Sequence, residues 1–249
     1  VADLFDAVAT GRYDLRPDSY VRELVLDARG RIRAAVYEDA DGAMFEQEAD
    51  TFILACGAVE TARLLLLSTS GRFPGGLANS NDLVGRNVTF HEYSASVATF
   101  DDPINAWAGG GYVSASSFQF YEHDPSRGFV SGGHIAAAGV GIPLPIHWGL
   151  PGKPTWGAEA KRIDRDYFNH SMAVAMVLHD MPQHENRVDL DDSVVDAWGL
   201  PVARITLSPH ENDLTLLRGD DKVAERQQRL AATVAACLPL QLSSAGIDA

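Results

Sequence analysis

The stretch Thr51–Ser70 (TFILACGAVETARLLLLSTS) is where residue types and spacing best suit ligand chemistry in this 249-residue chain. Its apolar run, Phe52-Ile53-Leu54-Ala55-Cys56, is bounded by turn signals and predicts a strand buried on both faces. Gly57-Ala58 follows. A helix is then expected over Glu60–Leu67, with an acid in its first turn and four successive leucines at its end. Such a helix is apolar nearly all round and predicts burial. A strand end, a glycine turn and a helix start leave main-chain N–H groups facing open space, which suits an anionic ligand. The same pattern also describes an ordinary strand–helix unit with no ligand.

Other chemistries find less support. A dinucleotide-type glycine loop must follow a strand and open a helix. Gly109-Gly110-Gly111 lacks the third spaced glycine, and Gly139-Val140-Gly141 runs into Pro143. The eight histidines show no HExxH and no pair at helical ligand spacing; His123, His134 and His170 stand alone, and His179 and His184 flank Pro182. No metal site is expected. There is no GxSxG elbow for a serine nucleophile. Cys56 and Cys237 both lie in apolar segments, predicting buried core fillers rather than a disulfide or a reactive thiol. Asp189, Asp191 and Asp192 lack the calcium-loop pattern and read as a solvated turn.

Charge narrows the field. With 20 Lys and Arg against 34 Asp and Glu, the formal charge is −14. Nucleic acid requires a basic surface and is excluded as a partner. An anionic membrane surface is disfavoured for the same reason. No stretch reaches membrane-spanning length, and no signal peptide is visible at Val1. A soluble protein is expected, with the compartment open between cytoplasm and periplasm. The opening VADLFDAVATG has no initiator Met and reads as a helix entered midway, so an excerpt of a longer chain is expected.

The elements that would position the Thr51–Ser70 stretch come next. Ala2–Ala9 has one apolar helix face (Leu4, Phe5, Val8), ended by Thr10-Gly11. Ser19–Asp27, Arg31–Glu38 and Ala43–Glu48, separated by glycine turns, predict a small antiparallel meander leading into Thr51. From Tyr93 the texture changes to small residues and aromatics, with strands predicted at Ser94–Phe100, Ser114–Tyr121, Val130–Ala138 and Ser171–His179. Pro143–Gly157 reads as a self-packed loop. Two more strands, Asn186–Leu190 and Leu200–Thr206, are expected around a turn at Asp191-Asp192-Ser193. Ser208, Pro209 and Glu211 form a capping-box pattern for a helix running on through Val234. The expected class is α/β (α+β), divided into residues 1–92 and 93–249.

Three stretches together resemble one family, the glucose–methanol–choline (GMC) oxidoreductases, flavoenzymes that bind FAD. Gly57-Ala58-Val59-Glu60-Thr61-Ala62-Arg63-Leu64-Leu65-Leu66 resembles the family's second signature, although Ala62 stands where Pro or Ser is usual. Gly76-Leu77-Ala78-Asn79, with Val84-Gly85-Arg86-Asn87 and His91, is similar to the segment that follows it. Pro182 and Asn186-Arg187-Val188-Asp189-Leu190, then Asp196-Ala197-Trp198-Gly199-Leu200-Pro201, resemble a characteristic hairpin of the substrate domain. The resemblance covers most of Thr10–Val234, and the bacterial sugar and gluconate dehydrogenases are the most similar branch.

The resemblance implies a partial Rossmann-like FAD domain in residues 1–92 and an antiparallel substrate domain in residues 93–249. It implies FAD as cofactor and a small-molecule alcohol or sugar as substrate, with hydride passing to flavin N5. Oxygen, a quinone or a cytochrome would accept the electrons. It also implies cofactor contacts: Val21 at the adenine, and Cys56, Gly57 and Ala58 beside the FAD. His91 would be structural. Neither the pyrophosphate glycine fingerprint nor the base histidine has a match here, so no catalytic residue is assigned. The resemblance thus implies N- and C-terminal segments of the same enzyme outside this chain. A non-catalytic GMC-like binding or scaffold subunit is the competing expectation.

Overall fold

The computed structural model describes residues 2–105, 115–139 and 154–218. Gly109–Gly111, Val140-Gly141, most of the Pro143–Gly157 loop, the predicted helix beyond residue 218, Cys237 and the 238–249 tail lie outside the described residues. Two compact units are formed: Val1–Val88 with Pro182–Ser208, and Thr89–Met181 with Pro209–Ala249. The fold mixes helix with antiparallel sheet, as the sequence predicts.

Unit 1 starts with α1 (Ala2–Ala9) and a three-stranded meander, β1 (Tyr20–Leu26), β2 (Ile32–Glu38) and β3 (Met44–Glu48), in the order β1-β2-β3. Helix α2 (Gly57–Leu67) follows. Leu24 of β1, Leu64 of α2 and Leu77 form the buried centre, with Leu26, Ile32, Phe52, Leu54 and Phe73 packed around it. The Ser68 hydroxyl accepts from the Leu24 N–H at 2.9 Å and donates to the Leu64 carbonyl at 2.6 Å, tying β1 to the end of α2.

One turn design recurs in this unit. Asp27-Ala28-Arg29-Gly30 and Asp39-Ala40-Asp41-Gly42 join the meander strands, and Asp196-Ala197-Trp198-Gly199 joins β8 (Arg187–Val195) to β9 (Pro201–Thr206). In each, one carboxylate oxygen accepts the N–H groups two and four residues on. Each glycine takes a left-handed φ of +75° to +81°, which a side chain rarely adopts.

The hairpin corrects one expectation. Its turn lies at Asp196–Leu200, not at Asp191–Ser193. Asp191 instead accepts the N–H groups of Ser193 and Val194 and the Ser193 hydroxyl within a register shift of β8. A second correction concerns Phe52–Cys56. The run pairs with no strand among the described residues. Phe52 and Leu54 pack on the core, while Ile53 is 86% exposed and Cys56 is exposed. Residues alternate between core and solvent from Phe52 to Ala55, so only one face is covered, and the alternation stops at the exposed Cys56.

Unit 2 holds a four-stranded antiparallel sheet, β4-β7-β6-β5, from β4 (Glu92–Thr99), β5 (Ala115–Ser117), β6 (Gly133–Gly139) and β7 (Ser171–Leu178). Ile135, Ala136, Met172, Val174, Ala175 and Leu178 are buried in it. Helix α3 (Gly157–Tyr167), absent from the sequence expectations, buries Ala160 and Ile163. Helix α4 (Glu211–Arg218) begins later than the Ser208 box predicts. The Ser208 N–H is already bonded to the Asn186 side chain at 2.8 Å. His210 and Asp213 take the capping roles: Asn212 N–H donates to His210 Nδ1, and His210 N–H donates to Asp213.

Candidate functional site

The first turn of α2 opens on a shallow, widely open cleft of about 530 Å³ in unit 1, lined by Leu54, Ala55, Gly57, Ala58, Thr61, Ala62, Leu65, Val84 and Gly85. The first N–H groups of a helix have no intrahelical acceptor, and here no side-chain cap accepts from them either. Gly57 has φ +78°, and a Cβ there would meet nothing within 4 Å. Among the described residues, no acidic side chain lines the cleft. Glu60, the acid of the first turn, is drawn to Arg63 at 3.2 Å. Small walls and free main-chain donors suit an anionic group lying close to the backbone.

The three sequence motifs meet here. Leu77 N–H donates to the Leu65 carbonyl at 2.8 Å, placing the second motif against α2. Gly85 meets the third: Val188 N–H donates to its carbonyl at 2.8 Å, and a Cβ on Gly85 would stand 2.1 Å from the Val188 oxygen. Val88 N–H reaches the Asn186 carbonyl at 3.0 Å, and Arg86 bridges to Arg187. Asn186 is 1% exposed, and its amide bonds both main-chain groups of Ser208.

Arg63, 6% exposed, joins the first motif to the third. Its guanidinium donates to Asp196 at 2.6 Å, to the Pro201 and Leu200 carbonyls at 2.8 and 3.4 Å, to the Tyr20 hydroxyl at 2.9 Å and to Glu60. The Tyr20 hydroxyl donates onward to Asp196, and its ring stacks on Trp198 at 4.1 Å. Burial pushes the Asp196 carboxyl up. The Arg63 guanidinium, the Leu200 and Trp198 N–H groups and the Tyr20 hydroxyl outweigh it and bring the carboxyl down to about 2.

Of the sequence-assigned contacts, Gly57 and Ala58 line the cleft. Cys56 adjoins it but is not among the lining residues, and its exposure overturns the expectation of a buried core filler. Val21 is also outside the lining; it sits at a bulge of the edge strand β1 and is 40% exposed, so it is no core valine. His91 is exposed. Arg63, Tyr20 and the Asp196 turn were not singled out as a site by the sequence reading. The third copy of the Asp-Ala-x-Gly pattern was the available signal for that turn.

Unit 2 gathers residues that stand apart in sequence. The Ser131 hydroxyl bonds His179 Nδ1, and Ser131 N–H donates to His123 Nδ1 at 3.3 Å. Tyr121 meets His179 edge-on at 5.0 Å, and Phe118 stacks on His134 at 5.5 Å. Among the described residues, no group of three or more His, Cys, Asp or Glu is arranged to hold a metal ion. No helix among them is long and apolar enough to cross a membrane.

A formate oxidase structure from Aspergillus oryzae RIB40 superposes with a TM-score of 0.56 at 15% identity, over 85% of this chain and 43% of that one. The fold is thus shared with part of that structure. No family model matches the chain. It is 34% identical to 2-methyl-1,2-propanediol dehydrogenase from Mycolicibacterium austroafricanum, over 91% of this chain and 42% of the relative. It is 30% identical to the gluconate 2-dehydrogenase flavoprotein from Pantoea cypripedii, over 82% of this chain and 34% of the relative. A GMC-type oxidoreductase of Mycobacterium tuberculosis (strain CDC 1551 / Oshkosh) is 31% identical over 41% of this chain and 15% of the relative. The chain is similar to the GMC oxidoreductases, an FAD-dependent family, and spans well under half the length of these relatives.

Proposed function

We propose that the protein containing this chain oxidises a hydroxyl group of a sugar or related alcohol, with FAD as cofactor. FAD, when bound, supplies the hydride acceptor at N5. Residues 1–92 are the chain's share of the FAD-binding side and residues 93–249 its share of the substrate side, with the Pro182–Ser208 hairpin of the latter packed in the same compact unit as the FAD-binding part. The observation that carries the reading is the uncapped start of α2, opening on a cleft with small walls and, among the described residues, no acid. Gly57 and Ala58 present main-chain donors to the cofactor, Cys56 lies beside them, and Val21 offers the β1 edge to the adenine. The residues of this chain bind and orient; the proton-accepting base and the pyrophosphate glycine loop are assigned to segments outside it. Oxygen, a quinone or a cytochrome takes the electrons.

The test is to purify the full-length protein and record its visible spectrum, then add sugars and polyols anaerobically. Flavin absorbance that bleaches with one of them is the expected result. Colourless protein that takes up no FAD would overturn the proposal in favour of a non-catalytic scaffold. A coloured protein that no alcohol or sugar reduces would overturn the substrate assignment.

A further inference from the structure

We infer that Arg63 is a positioning residue for the cofactor: it holds the β1 edge and the start of α2 in the relation the dinucleotide requires. The inference rests on the proposal that unit 1 binds FAD. Val21 and Gly57-Ala58, the assigned contacts, lie on two different elements. Tyr20, beside Val21, and Arg63, in the second turn of α2, are bonded at 2.9 Å. Each is also bonded to Asp196, in the hairpin turn.

The network is closed. A guanidinium has five N–H donors, and each of the five has an acceptor here: Glu60, Tyr20, Asp196 and the Leu200 and Pro201 carbonyls. Asp196 accepts four bonds, from Arg63, Tyr20, Trp198 and Leu200. The Tyr20 hydroxyl accepts one bond and donates another. Segments 43 and 133 residues distant from Arg63 in sequence are thereby fixed.

A network this enclosed is a poor way to gain stability, because stripping water from the charges offsets much of their attraction. It is a good way to fix geometry, because planar forked bonds tolerate little displacement. Ala62, beside Arg63, is itself a wall of the cleft. A lysine in its place would keep the charge but lose the fork.

The test uses full-length protein freed of flavin and titrated with FAD at a temperature where circular dichroism shows each variant folded. Arg63→Met and Asp196→Asn should weaken FAD binding about tenfold or more, and Arg63→Lys should recover only part of the loss. The visible dichroism of bound flavin should change with them. Asp189→Asn breaks a different carboxylate–arginine cluster of the same hairpin and should leave FAD affinity within about twofold. If Arg63→Met does not fold, Arg63→Lys and Tyr20→Phe decide the matter. Unchanged affinity and dichroism in the folded Arg63 variants would overturn the positioning role alone, whatever their melting temperatures. An equal loss in Asp189→Asn would do the same. Wild-type protein that binds no FAD would bring down the cofactor proposal and this inference with it.

Discussion

The two units are built on opposite plans. In unit 2 the sheet is a continuous ladder, with β7 at its middle paired to both β4 and β6 along nearly its whole length. Unit 1 has only a short meander and a hairpin as regular sheet. It is closed instead by single contacts between distant segments: Gly85 against Val188, Asn186 on Ser208, Arg63 on Asp196. A ladder spreads its energy over many similar bonds, so one altered residue costs little of the whole. A joint made of one glycine or one guanidinium has no such reserve. The cleft lies in the unit assembled from joints.

The sharpest way to break this comparison is Gly85→Ala. The new Cβ would meet the Val188 oxygen at 2.1 Å, with φ at +81°. A loss of about 3–5 kcal/mol is expected from such a main-chain clash. Hydrogen exchange should show it in unit 1, with β6 and β7 unaffected. Equal loosening of both units would contradict the contrast.

Asn186→Ala comes next. It removes two bonds and leaves the Ser208 N–H without its partner, while the Ser208 carbonyl keeps the Gln183 amide at 2.7 Å. The expected loss is about 2–3 kcal/mol, read from chemical denaturation of the full-length protein.

pH should move the two units in opposite directions. Asp196 and Asp189 both stand at about 2, against an ordinary 3.8. For Asp189 the Arg204 pairing is the largest cause. A carboxyl lowered on folding adds stability above its unfolded pKa and loses it as pH falls through the folded one. Unit 1 should therefore loosen between about pH 4 and pH 2, by about 2 kcal/mol per group. In unit 2, burial pushes Asp180 and Glu92 up, and Asp213 adds to both shifts. Their contribution is fully present below the unfolded pKa and is lost as pH rises through the raised values. Exchange rates of β1 and β9 against β4 and α4 across a pH series measure both signs at once.

The smallest effect belongs to the meander surface. Arg33 pairs with Glu46 and Glu48 in the open. Arg33→Ala should leave the melting temperature unchanged within error, since exposed pairs are screened by water and salt. A clear drop would mean that unit 1 also draws on its surface charges.

Local elements were legible wherever neighbours in sequence decide them. The meander strands, α1, the Leu-rich helix and the four strands of unit 2 follow from alternation, helical spacing and turn residues. The errors fall where a distant partner intervened. Ser208 fits a cap until Asn186 claims its N–H. Phe52–Cys56 fits a strand covered on both faces, but only the Phe52 and Leu54 side has a core to meet. The hairpin turn at Asp196 repeats the pattern of the two meander turns, whereas the aspartates at Asp191 and Asp192 fit a turn only by composition.

By itself the sequence determined the kinds of elements, the small walls beside Gly57, and the three motifs that resemble GMC oxidoreductases. Only the tertiary structure decided that those motifs share one unit, that Cys56 is exposed, and that Arg63 is spent on the hairpin turn rather than on solvent. The physical reason is range. Helical and strand preferences act over a few residues, whereas a buried charge must find its acceptors wherever the folded chain brings them.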